Sequence, residues 1–137
     1  MVVKQLTVFI ENREGRMCDV LEILKNNDIN ILAASIADSS DFGLIRMIVS
    51  EPQKAYEALK NKGVMAKITE IISVIVPNET GGLENILKVM SENGINIKYM
   101  YGISSKQNEA AIAMKTEKQD EAVALLKSLE LKGFCEE

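Results

Sequence analysis

The chain has 137 residues, 47% hydrophobic and 26% charged, a balance that suits one ordinary globular domain or two very small ones and excludes a disordered chain. Sixteen basic against twenty acidic residues leave a formal charge of −4, which offers no electrostatic footprint for nucleic acid or an anionic membrane. No apolar run approaches the roughly 20 residues that cross a bilayer, and the opening MVVKQLTVFIENREGR lacks the apolar run and cleavage pattern of a signal peptide, so the expected location is the cytoplasm.

The segment KQLTVFI alternates, with Leu6, Val8 and Ile10 on one face, as a half-buried strand does. After the loop ENREG, Met17, Val20, Leu21 and Leu24 recur at helical spacing, which predicts an amphipathic helix ended by Asn26, Asn27 and Asp28. NILAASIAD and GLIRMIVS then read as a hairpin across the polar turn SSDF. Pro52 suits the first turn of a second helix with Ala55, Ala58 and Leu59 inside, and Gly63 suits its stop. VMAKITEIISVIV is long enough for two successive strands with a boundary near Glu70. Next come a strand at 71–76, the loop PNETGG, and a helix with Leu83, Ile86, Leu87 and Met90 inside. Strands at 96–104 and 109–115 and a helix carrying Ala122, Leu125, Leu126 and Leu129 follow. Only Phe134, Cys135, Glu136 and Glu137 stand after Gly133, so a closing strand is expected to be short or to borrow from elsewhere.

The order is written twice. A constant offset of 66 residues pairs Val8 with Val74, Asn12 with Asn78, Gly15 with Gly81, Leu21 with Leu87, Asn27 with Asn93, Ile29 with Ile95, Asn30 with Asn96 and Ile31 with Ile97, without a gap. Met17 with Leu83, Val20 with Ile86, Ile23 with Val89 and Leu24 with Met90 add conservative pairs. Beyond residue 50 the register needs an insertion, with Gly63 paired to Gly133 at an offset of 70. The fold class that follows is α+β: two ferredoxin-like βαββαβ units in tandem, residues 1–70 and 71–137, each an antiparallel sheet with helices on one face. A unit this small buries a modest core and leaves one sheet face bare, so the units are expected to pack on one another and the chain to form a homo-oligomer, a dimer.

The loops NREGRM and NETGGL, each followed by its helix and by NDINI or NGINIKYM, resemble the Asp/Asn-x-Pro-Gly-x-Leu loop and the Gly-Ile-Asn-Ile strand entry of the ACT domain. The resemblance covers nearly the whole chain as a stand-alone tandem pair with no catalytic domain. It implies a regulatory protein of amino-acid metabolism whose effector, an amino acid or similar small molecule, binds where the first loop of one unit meets the second strand of a neighbour. Carried onto this chain, Asn12, Gly15, Arg16 and Met17 form one loop wall, and Asn78, Gly81, Gly82 and Leu83 the other. Asn30 and Ile31, with Asn96 and Ile97, stand at the strand entries. The family's proline is replaced by Glu14 and Thr80, and Glu14 repels a carboxylate.

The residues themselves suit that ligand. A glycine at a strand-to-helix turn lets the backbone approach closely, and the helix start offers unpaired N–H groups to a carboxylate. An asparagine amide both donates and accepts, which fits a zwitterion. Each residue also has a plainer reading: Gly15 and Gly81 as turn formers, Asn12 and Asn78 as helix caps, Asn30 and Asn96 as partners of exposed backbone, Arg13 and Arg16 as solvated charges. Tyr99 and Tyr101 share one strand face and suit packing.

Nothing points to catalysis. There is no histidine, Cys18 and Cys135 have neither CxxC spacing nor a base, and no phosphate-binding glycine motif occurs, so catalytic residues, metal site and cofactor are all expected to be absent. Asp38 and Asp41 bracket the hairpin turn as backbone caps rather than metal ligands. The competing reading is an interaction or scaffold subunit of a metabolic enzyme that binds no small molecule, motivated by the lost prolines and Glu14. RNA binding on the open sheet ranks below both, with three Tyr, three Phe and no Trp.

Overall fold

The apolar periodicities turn into strands and helices in the order read from the sequence. In the computed structural model, which describes residues 1–38 and 42–134, these are β1 (Val2–Glu11), α1 (Arg16–Asn26), β2 (Ile31–Asp38), β3 (Phe42–Val49) and α2 (Pro52–Asn61). β4 (Met65–Pro77), α3 (Gly82–Glu92), β5 (Ile97–Ser105), β6 (Glu109–Thr116) and α4 (Gln119–Ser128) follow. Ser39, Ser40 and Asp41 of the SSDF turn, the side chain of Asp38 and Cys135 lie outside the described residues. VMAKITEIISVIV is one unbroken strand, β4, rather than two.

The chain divides into two compact units, Lys4–Glu70 and a second made of Met1–Val3 with Ile71–Glu137. In the first, the strand order is β2-β3-β1-β4, and β1 and β2 both run antiparallel to β3. The register sets Leu6 opposite Met47 and Val8 opposite Ile45, so the alternation read from KQLTVFI places these four on one face. That face meets Val20 and Leu24 of α1 and Ala55 and Leu59 of α2, all buried. On the other face the Lys67 ammonium stands 5.9 Å from the Phe9 ring centroid.

The second unit repeats the scheme with order β4-β6-β5. Ile72 opposite Met114 and Val74 opposite Ile112 form the inner face, and Ile86 and Met90 of α3 with Ala122 and Leu126 of α4 cover it. Leu129, expected inside, is the exposed C-cap of α4, because the helix ends at Ser128. Tyr99 and Tyr101 lie opposite Lys115 and Ala113, on the face away from the helices, both half-buried.

All four helices end in the same device. After α1 the N–H of Asp28 donates to the Lys25 carbonyl and that of Ile29 to the Leu24 carbonyl, with Asp28 in the left-handed region at φ 56°. α3 does the same through Gly94 and Ile95, and α2 through Gly63 and Val64. In α4 the left-handed residue is Glu130, at φ 61°, whose N–H bonds to Lys127. The structural counterpart of Gly63 is therefore Glu130 and not Gly133, and the expected pairing at an offset of 70 is corrected: hydrogen bonding, not residue type, marks the equivalent position.

Among the described residues no strand follows α4, and the β4 edge is met instead by single backbone bonds from two parts of the chain. The Ile75 N–H donates to the Lys132 carbonyl at 2.7 Å, and the Ser73 N–H to the Met1 carbonyl at 2.6 Å. Met1 is buried among Ile72, Val74, Met90 and Leu126. Burial and the charge of Lys127 together lower the pKa of its amino group.

Candidate functional site

Each unit builds its loop the same way. β1 ends at Glu11, the chain crosses Asn12–Gly15, and α1 starts at Arg16 with Gly15 as N-cap at φ 82°. In the second unit Gly81 caps α3 at φ 81°. Both glycines are left-handed, which only glycine adopts without strain, and a Cβ on either would meet nothing within 4 Å. Both glycines are exposed.

Neither helix has a side-chain cap. The first intrahelical acceptors are the carbonyls of Gly15, serving Asp19, and Gly81, serving Asn85, at 3.0 Å each. Among the described residues, the N–H groups of Met17, Cys18, Leu83 and Glu84 have no acceptor. Asn12 and Asn78 are thus not caps. Asn12 is exposed; the Asn78 amide instead donates to the Lys106 carbonyl at 2.7 Å and its N–H to the Asn108 carbonyl at 3.1 Å, tying the second loop to the β5–β6 turn.

The loops differ in charge. Arg13 is paired with Glu11 at 3.0 Å and Arg16 with Asp19 at 3.2 Å, so the cations of the first loop face carboxylates of their own chain. The position of Arg16 is taken in the second unit by Gly82, which is buried, and a Cβ there would collide with the carbonyl oxygen of Pro77. Met17 packs against the first core. Its counterpart Leu83 is half-buried and lines a shallow groove with Leu87, Lys88 and Glu92 along α3.

Asn30 and Asn96 are exposed. Asn30 is held by its backbone, its N–H donating to Ser50 Oγ and its carbonyl accepting from the Ser50 N–H, each at 2.9 Å. Their side-chain amides make no hydrogen bond among the described residues. Ile31 and Ile97 open the strands that follow and rest against the cores. Sequence reasoning missed which asparagine serves the helix: it is Asn27, whose amide donates to the Ile23 carbonyl, and Asn93, whose amide donates to Val89, both at 2.8 Å. The offset of 66 had paired these two, but pairing alone does not reveal a role.

Within one unit, loop and strand entry stand at opposite ends of an 11-residue helix, about 16 Å apart at 1.5 Å per residue. A free amino acid is too short to reach both. Among the described residues no cluster of metal-ligating side chains occurs, Cys18 is free and exposed, and no helix is long and apolar enough to cross a membrane.

A family model described as an ACT domain pair matches residues 1–136. Among solved structures, protein BT0572 from Bacteroides thetaiotaomicron is 37% identical, covers 98% of this chain and 92% of its own, and superposes with a TM-score of 0.92. The ligand-free regulatory subunit of aspartate kinase from Thermus thermophilus is 15% identical, with 93% of this chain and 96% of its own covered and a TM-score of 0.68. The Thermus flavus subunit is 14% identical, with 93% and 94% covered and a TM-score of 0.62. These two likenesses are of fold. A search of curated proteins returned no match.

Proposed function

This chain belongs to the family of paired ACT domains, and from that premise we propose that it is an amino-acid-binding regulatory protein of amino-acid metabolism, with its ligand held between ACT units. The observation that carries the reading is the doubled, uncapped helix start behind a left-handed glycine. The α-carboxylate of the ligand accepts from the N–H groups of Leu83 and Glu84, or of Met17 and Cys18, where the helix dipole favours negative charge. The ammonium group is met by the free amide oxygen of Asn30 or Asn96 from another unit. Gly15, Gly81 and Gly82 keep the walls close to the ligand, and Ile31 and Ile97 supply apolar contact. The Thermus thermophilus protein of similar fold is named a regulatory subunit, which fits a non-catalytic role here.

A ligand that bridges two units stabilises their pairing, so occupancy sets the population of a homodimer and, through it, the behaviour of a metabolic enzyme in the cytoplasm. Calorimetry and thermal shift against a panel of proteinogenic amino acids at millimolar concentration test this. At least one should raise the melting temperature; silence from all of them defeats the proposal. The second reading, a scaffold subunit without a small ligand, draws on Glu14 within the first loop and on Arg16 being engaged by Asp19. It requires one stoichiometric partner in a pull-down together with silent ligand screens.

A further inference from the structure

We infer that Met1–Val3 is a strap by which the start of β1 holds the second unit closed. β1 is one strand, yet its first residues and its remainder serve different units: Met1–Val3 belongs with Ile71–Glu137, and the chain from Lys4 onward belongs to the first. In the first unit, β4 supplies the six residues Met65–Glu70 beside β1. In the second, the chain leaving α4 places the Lys132 carbonyl on the Ile75 N–H and the Phe134 N–H on Ser73 Oγ. Two residues earlier on β4, the Ser73 N–H is taken by the Met1 carbonyl.

Ser73 is the joint. Its N–H donates to the Met1 carbonyl at 2.6 Å, its hydroxyl donates to the same carbonyl at 3.3 Å, and that hydroxyl accepts from the Phe134 N–H at 3.0 Å. The side chain is buried, so each of these bonds is made away from water, where a donor left unpaired is costly. The Met1 side chain meanwhile occupies the core that α3 and α4 cover. Releasing the strap at once uncovers the β4 edge at Ser73 and empties a place in that core. The inference does not depend on a ligand.

Hydrogen exchange resolved by peptide tests it on the full chain and on three variants: Ser73→Ala, Ser73→Thr, and a chain lacking residues 1–3. Ser73→Ala should speed exchange over 71–77 and in α4 by about threefold or more, and loss of residues 1–3 by about tenfold or more across α3 and α4, with β3 and α1 unchanged. Ser73→Thr, which keeps the hydroxyl as Thr7 does at the matching place, should exchange like the parent chain. Unchanged exchange in Ser73→Ala, equal acceleration in both units, or Ser73→Thr as fast as Ser73→Ala overturns the strap. If the shortened chain does not fold, the two Ser73 variants decide.

Discussion

The N–H of Ile95 donates to the carbonyl of Met90 at 2.9 Å, and both side chains are buried in the same core. Sixty-six residues earlier, Ile29 does the same to Leu24 at 3.0 Å. The repeated phrase NDINI and NGINI is thus first a helix ending: one residue turns left-handed, and the isoleucine after it returns to the core it just left.

The left-handed residue differs between the copies, and this difference should be measurable. Gly94→Ala places a Cβ at φ 71°, where strain and not space is the obstacle, and should cost about 1 kcal/mol. Asp28→Gly removes the same strain from the first unit and should stabilise by about 0.5 kcal/mol, since aspartate tolerates φ 56° better than most residues. Urea denaturation of the two variants checks both signs.

Neighbouring glycines in the second loop should fail for different reasons. Gly81→Ala meets open space but strained backbone, a cost of about 1 kcal/mol. At Gly82 the backbone is ordinary but the new Cβ strikes the Pro77 carbonyl, which cannot yield without moving the end of β4. Gly82→Ala should therefore cost more, about 1–3 kcal/mol, and displace the loop. Denaturation midpoints rank the pair; Gly81→Ala costing more than Gly82→Ala would contradict this geometry.

Asn93 and Asn78 separate a structural amide from a loop tether. Asn93→Ala leaves the Val89 carbonyl without its amide donor and should lower stability by about 1 kcal/mol. Asn78→Ala cuts the bond to Lys106, and its effect should be confined to faster amide exchange in the β5–β6 turn. Asn96→Ala, with no hydrogen bond to lose, should leave stability unchanged and weaken only ligand binding.

For the proposed ligand, Gly81→Val should abolish the response of the second loop while the first-unit core keeps its melting behaviour. An amino acid at about a hundred times its Kd should stabilise the parent chain by about 2.7 kcal/mol. A thermal shift that survives Gly81→Val and vanishes in Gly15→Val moves the site to the first loop.

Most of the local architecture was legible. Leu6, Val8 and Ile10 announce the inner face of β1 because strand periodicity is a property of the backbone pleat, and Val20 and Leu24 announce α1 for the matching helical reason. The candidate loops were legible as glycine positions, and Gly15 and Gly81 do cap helices. What each asparagine does was not: Asn27, Asn30, Asn93 and Asn96 look alike in the phrase, and only the placement of nearby carbonyls distinguishes the two that cap from the two that stand free.

Element order, the duplicated unit and the helix endings follow from residues within a few positions of one another, so a linear reading reaches them. The partner of Ser73 could not be reached in that way. Met1 and Lys132 lie far apart along the chain, yet both accept from N–H groups on β4, those of Ser73 and Ile75. A carbonyl has no side chain to signal its availability, and backbone pairing across 72 positions leaves no pattern in residue types. Chain connectivity in space, not composition, assigns Met1–Val3 to the second unit.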